Sequence, residues 1–184
     1  MIQAYIEDSV GGRFFVLVAM IASADTWIRF SDEWREALNA YPPITYFRMA
    51  ECYARGGQFA SFSVSDRDKK LELLKQIIGR HDIRAIRCMT DIHAFNGIIK
   101  GKISKTMDSP LFVTATELMR IVVQEQSKID TDESVDFIFD DGSNNYFREI
   151  RPVAKVACFL TGPRVEVAFA ADHLFSKPRT RTPC

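Results

Sequence analysis

An α/β fold, with a central mixed β-sheet flanked by helices, is predicted by three features of the chain. It opens on a β-hairpin, later strands alternate with stretches of helical periodicity, and two of its strands end in acidic residues. In the hairpin, Gln3-Ala4-Tyr5-Ile6 leads into Glu7-Asp8-Ser9, turns at Gly11-Gly12 and returns as Phe14 to Ile21. The return strand is a nearly continuous apolar run, as a central strand covered on both faces requires. Glu7 and Asp8 sit near the tip of the first strand, where a sheet runs out and a ligand can approach. Adjacent strand residues point to opposite faces, so an ideal strand directs only one of the two into a given site. Asp and Ser also serve turns by bonding nearby backbone, and taken alone this stretch weighs toward that ordinary role.

The length of 184 residues suits one domain with a substantial core, here 1–176, followed by a tail. No stretch approaches the roughly 20 apolar residues of a membrane span. The N-terminus enters a strand without a basic, then apolar, leader. The expectation is a cytoplasmic protein that does not associate with membranes. The four cysteines form no C-x-x-C pair, which argues against a zinc knuckle or redox motif. Formal net charge is zero, so any nucleic-acid site has to be a local patch.

Asp25 is placed to cap a helix in which Trp27, Phe30, Trp34, Ala37 and Leu38 recur at helical spacing, ended by Pro42-Pro43. That spacing marks the tryptophans as core residues rather than base-stacking platforms. Ile44 to Tyr53 reads either as a strand running into a helix or as one helix, and contains the acid Glu51. Gln58 to Val64 alternates like a short strand. Ser65-x-x-Asp68 resembles a capping box opening a helix with Leu71, Leu74, Ile77 and Ile78 inward, closed by Gly79. Lys69, Lys70 and Lys75 then decorate its solvated face.

Ile83 to Thr90 reads as a strand. Asp91-x-His93 after it is a weak two-residue metal pair, better read as a surface pairing. Residues 96–108 form a loop whose Lys100, Lys102 and Lys105 make the most credible local basic patch, with a solvated loop the ordinary reading. Ser109-Pro110 starts a helix with Leu111, Ala115, Leu118, Val122 and Val123 buried. In the strand from Val135, the residues Val135, Phe137 and Phe139 share one face and Asp136, Ile138 and Asp140 the other, and Asp140-Asp141 ends it. Two strand ends carrying paired carboxylates raise the odds of a site, because clustered like charges near a core are costly without a metal or substrate. Residues 144–160 look helical with a break near Pro152, and 165–174 mixes strand-like alternation with helix-favouring alanines. The basic, proline-broken tail 177–184 is expected to be disordered.

Tyr5-Ile6-Glu7-Asp8-Ser9, Phe15-Val16-Leu17, the Trp27…Trp34…Leu38 helix and Tyr46-Phe47-Arg48-Met49 together resemble a widespread bacterial and phage family, catalogued as domain of unknown function number thirty-eight hundred. Its members are considered RNase H-like. They open with Tyr-Ile-Asp-Glu/Asp-Ser-Gly, carry a second acid at a later strand end, matched here by Phe139-Asp140, and close on a Leu-Gln-Ala-Ala-Asp-Leu helix. That helix resembles Ala168-Phe169-Ala170-Ala171-Asp172-His173. Glu7 stands where the family has Asp, Val10 where it has Gly and Phe169 where it has Gln. The last helix has barely one turn before Lys177-Pro178, as in a C-terminally truncated member.

The resemblance implies a metal-dependent nuclease or other phosphoryl-transfer protein, in which carboxylates from separate elements converge on Mg²⁺ or Mn²⁺. Glu7, Asp140 and Asp172 are the implied metal ligands, with Asp8 beside them among the catalytic candidates and Asp141 and Glu51 in reserve. Hard cations take oxygen ligands, which suits Asp and Glu. Nucleic acid is the implied partner, and a second copy of the chain would cover an apolar face left by a short last helix. The alternative is a catalytically degenerate RNase H-like module that binds nucleic acid or a protein.

Overall fold

The structure, a computed structural model, describes residues 1–105, 107–127, 133–140, 165–170 and 180–182. In chain order its elements are β1 (Ile2–Gly11), β2 (Phe14–Ser23), α1 (Ala24–Asn39), α2 (Met49–Ala54), α3 (Val64–Arg80), β3 (Arg84–Asp91), α4 (Ile92–Ile98), α5 (Pro110–Ser127), β4 (Val135–Asp140), β5 (Val165–Ala170) and β6 (Thr180–Thr182). They fall into two compact units, Met1–Ser23 with Arg84–Cys184, and Ala24–Ile83.

The first unit is built on one mixed sheet of order β3-β2-β1-β4-β5-β6. The hairpin forms as the sequence predicts: Gly11 pairs with Phe14, and Gly12 takes a φ of 56° that suits glycine. β2 runs antiparallel to both β1 and β3, whereas β4 runs parallel to β1, and β5 parallel to β4. β1 therefore lies inside the sheet, with its hairpin partner on one side and the later acid-ended strand on the other.

Alternation then sorts the side chains. Ile2, Ala4 and Ile6 of β1, Phe15, Leu17, Ala19 and Ile21 of β2, and Val135, Phe137 and Phe139 of β4 pack into one core with Leu111, Ala115, Leu118, Met119 and Val122 of α5. α5 starts where the sequence places it. Pro110 needs no N–H donor at the first turn, and the Ser109 hydroxyl accepts the Phe112 N–H at 3.1 Å. A hydroxyl pair, Thr90 and Thr114 at 2.7 Å, ties α5 to β3.

The second unit holds α1 to α3. Trp27, Phe30 and Trp34 lie along α1, with Phe30 edge-on to Trp27 and stacked on Trp34, and Phe30 and Trp34 pack against the buried Ala37, Leu74 and Ile77. Several local expectations are corrected. Ala24 already belongs to α1, so Asp25 stands in its first turn rather than as its cap. The stretch from Gln58 is a 3-10 turn over Gly57–Phe59 rather than a strand, because the Gln58 side chain is bound to the backbone of Thr45 and Tyr46. The cap of α3 is Ser63, two residues earlier than the Ser65 box. Its hydroxyl accepts the Asp66 N–H at 3.1 Å and donates to the Asp66 carboxylate at 2.6 Å.

Lys70 is the largest departure. It is 3 % exposed, not solvated, and its ammonium donates to the carbonyls of Ala37 at 2.7 Å and Ala40 at 2.6 Å. It thus closes the end of α1, where unpaired carbonyls carry the negative pole of the helix. Burial pushes its pKa below the usual lysine value.

Toward the C-terminus, Val165–Ala170 is strand, so Ala168 to Ala170 do not begin the closing helix suggested by the family motif. Thr180–Thr182, within the tail expected to be disordered, pairs with β5. The helix expected over 144–160 lies outside the described residues. Among those described, no helix is long and apolar enough to cross a membrane.

Lys70→Met keeps the length of the stem but leaves buried carbonyls without a donor, which costs about 1–3 kcal/mol. Both tryptophans lie in α1, so their fluorescence during urea unfolding should report this loss in the second unit. An unchanged midpoint would show that Lys70 does not close α1.

Candidate functional site

The face of the sheet away from α5 carries the acids. β1 pairs Glu7 with Val18 and Asp8 with Leu17, in a register without a bulge from Ile2 to Gly11. Leu17 is buried in the core with α5, so Asp8 belongs to the α5 side, whereas Glu7 shares the other face with Gln3 and Tyr5. Both carboxylates are exposed. Of the two neighbours, only Glu7 is placed on the outer face.

The β1–β4 ladder runs from Ile2 with Val135 to Ile6 with Phe139. The next residue on each strand is Glu7 and Asp140, so the two acids predicted from separate motifs occupy neighbouring positions on adjacent parallel strands. Four residues back, about 13 Å at normal strand rise, Gln3 pairs with Asp136, and Asp136 with the position of Glu166. Asp136 is 4 % exposed. A buried carboxylate is tolerated only with compensating hydrogen bonds or charge. This face thus has a buried carboxylate at Asp136 and an exposed one at Glu7, with Asp140 at the strand position beside Glu7.

Sequence reasoning placed Asp136 and Asp140 on one face without giving Asp136 a part in the site. The signal was their period of two, against Val135, Phe137 and Phe139 on the other side. Asp172, the third implied ligand, and the reserve acid Asp141 lie outside the described residues.

Other candidates are committed elsewhere. Asp91 caps α4, one carboxylate oxygen accepting the N–H groups of His93 at 2.9 Å and Ala94 at 3.1 Å. Its other oxygen pairs with the Arg13 guanidinium, through Nε at 2.6 Å and Nη2 at 2.5 Å. Asp91 and His93 are therefore joined as a helix cap rather than as paired metal ligands. The hydrogen bond from Arg13, aided by the Ala94 N–H, holds the Asp91 carboxyl below the usual carboxylate range.

In the second unit, one Glu51 oxygen accepts the Tyr46 hydroxyl at 3.2 Å and the other accepts the Gln58 N–H at 3.2 Å. Gly57 takes a φ of 52°, which favours glycine, and a Cβ there would lie 2.1 Å from that second oxygen, so the Glu51 side chain would have to shift. Glu51 organises this loop.

Among the described residues, no group of three or more His, Cys, Asp or Glu side chains is arranged to hold a metal ion. Comparison with known proteins gave no match to a family model, a curated protein or a solved structure.

Because the Asp91 carboxyl is held low, its contribution is present above the unfolded carboxylate pKa and is lost as pH falls through the native one. Asp91→Asn should therefore melt below wild type at neutral pH, and the gap should close on acidification through the native Asp91 pKa. A gap independent of pH would contradict the Arg13–Asp91 pairing.

Proposed function

We propose that this chain is a divalent-metal-dependent phosphodiester hydrolase of RNase H-like type. The observation that supports it best is the parallel pairing of β1 with β4, which sets the positions of Glu7 and Asp140 side by side at one end of the sheet. An RNase H-like reading requires this juxtaposition of strand ends. The second support is the resemblance of the Tyr5-to-Ser9 and Phe139-Asp140 motifs to the family named above.

The donor set fits Mg²⁺ or Mn²⁺, since it consists of carboxylate oxygens and contains no thiol. Glu7 and Asp140 would hold the ion, with Asp172 as the third ligand implied by the resemblance. A bound divalent ion supplies an activated water and offsets charge on the leaving oxygen of a phosphodiester. The chain's own contribution is positional. Glu7 is held by a central strand paired on both sides, and its extra methylene relative to Asp extends its reach. Asp136 is buried four residues behind on the same face, about 13 Å away at normal strand rise. Asp8 faces the α5 side and plays no part.

The test is cleavage of labelled single- and double-stranded oligonucleotides with Mg²⁺ or Mn²⁺. Glu7→Gln and Asp140→Asn should each reduce cleavage at least a hundredfold, about 2.7 kcal/mol of transition-state stabilisation. Asp8→Asn should cleave as wild type does. Equal loss on Asp8→Asn would overturn the assignment of faces. No cleavage with any metal, alongside retained oligonucleotide binding, would favour the degenerate-module reading.

A further inference from the structure

We propose that the turn from Ile99 to Lys105 is a binding element for a nucleic-acid backbone, delivering a strand to the acid-bearing end of the sheet. The inference rests on the hydrolase reading and names the partner of that same site.

Because β2 is antiparallel to both its neighbours and β4 is parallel to β1, the strands β1, β3 and β4 all run in one direction. The end of β3 at Asp91 therefore lies at the same end of the sheet as Glu7 and Asp140. From Asp91 the chain enters α4, which is fixed to the hairpin tip. The Ile92 N–H donates to the Arg13 carbonyl at 2.9 Å, Arg13 pairs with Asp91, and Phe95 is buried.

The turn that follows has a defined backbone. Ile99 and Lys100 both donate their N–H to the Phe95 carbonyl, at 2.9 and 3.0 Å, and Lys102 donates to Ile99 at 2.9 Å. Gly101 adopts a φ of 77° and its N–H donates to the Asp108 carboxylate at 2.9 Å. Asp108 thus closes the base of the turn while Lys100, Lys102 and Lys105 remain exposed.

No acid occurs between Ile92 and Met107, in a chain whose net charge is zero. The local charge is positive where the neighbouring strand ends are negative. β3 stands two strands from β1 and three from β4, about 10 and 14 Å across the sheet, and Asp91 is level with Gly11, about 13 Å beyond Glu7 along the strands. About five or six phosphates cover that diagonal at about 3.4 Å each along a strand. Lysines on one side and carboxylates on the other suit a polyanion whose backbone is gripped beside the point of cleavage. Ile98, 65 % exposed, and the exposed Ile103 and Met107 are interspersed with the lysines along the chain rather than gathered into one apolar run, which favours a phosphate backbone over a lipid surface.

The experiment is fluorescence anisotropy of labelled oligothymidylate over a salt series, in EDTA so that no cleavage occurs. The proteins are the full-length wild type, the triple Lys100→Ala/Lys102→Ala/Lys105→Ala variant and the triple Lys→Arg variant. Loss of three phosphate contacts should make the slope of log K against log salt shallower by about 2, while the arginine variant should keep the wild-type slope. An alanine variant with wild-type affinity and slope overturns the proposal. So does binding of wild type to phosphatidylserine vesicles without binding to oligonucleotide. Wild type that shows the lysine-dependent slope but never cleaves with Mg²⁺ or Mn²⁺ supports this binding role and refutes the hydrolase reading instead.

Discussion

The parallel pairing of β1 with β4 is the constraint on which the first unit depends. A parallel pair cannot be closed by a tight turn and needs a crossover. Here the chain makes β2 and β3 first, and α5 then returns it across one face before β4 takes its place beside β1. The same crossover covers the Ile2–Ile6 and Val135–Phe139 face with the apolar stripe of α5. One core therefore fixes both the sheet order and the phase of each strand. A slip of one residue would put Phe137 and Phe139 on the acidic face, so burial holds the register. The placement of Glu7 beside Asp140 follows from hydrophobic packing on the other side of the sheet.

The acids face a different requirement. Along β4 the chain alternates Val135, Phe137 and Phe139 toward α5 with Asp136 and Ile138 away from it. Placing Asp136 in the interior opposes stability unless the local field compensates it. The hairpin tip shows such compensation. There Asp91 has its charge consumed by Arg13 and by two backbone N–H groups, which makes it a structural acid.

Elements governed by local signals were legible in the sequence. The Gly11-Gly12 hairpin, the Ser109-Pro110 start of α5 and the alternation of β4 depend on neighbours within a few residues. The elements that escaped depend on distant partners. Gln58 reads as part of a strand until its side chain is seen bound to Thr45 and Tyr46. Lys70 reads as a solvated lysine because the carbonyls it caps lie some thirty residues earlier. The two acid motifs were visible as candidates, but alternation within one strand cannot say which strand will lie alongside. Only the register separates Glu7 from Asp8 and brings Asp136 onto the face of Glu7.

A metal centre at the joined ends of β1 and β4 is tested most directly by titrating Mn²⁺ into isotopically labelled protein, with oligonucleotide present, and following paramagnetic broadening of backbone amides. The first signals to broaden should be those of Glu7 and its neighbours in β1 together with Phe139 and Asp140 in β4, and Asp140→Asn should abolish the effect. Broadening centred instead on Asp91 and His93, or none at these strand ends at saturating Mn²⁺, would contradict a carboxylate metal site there.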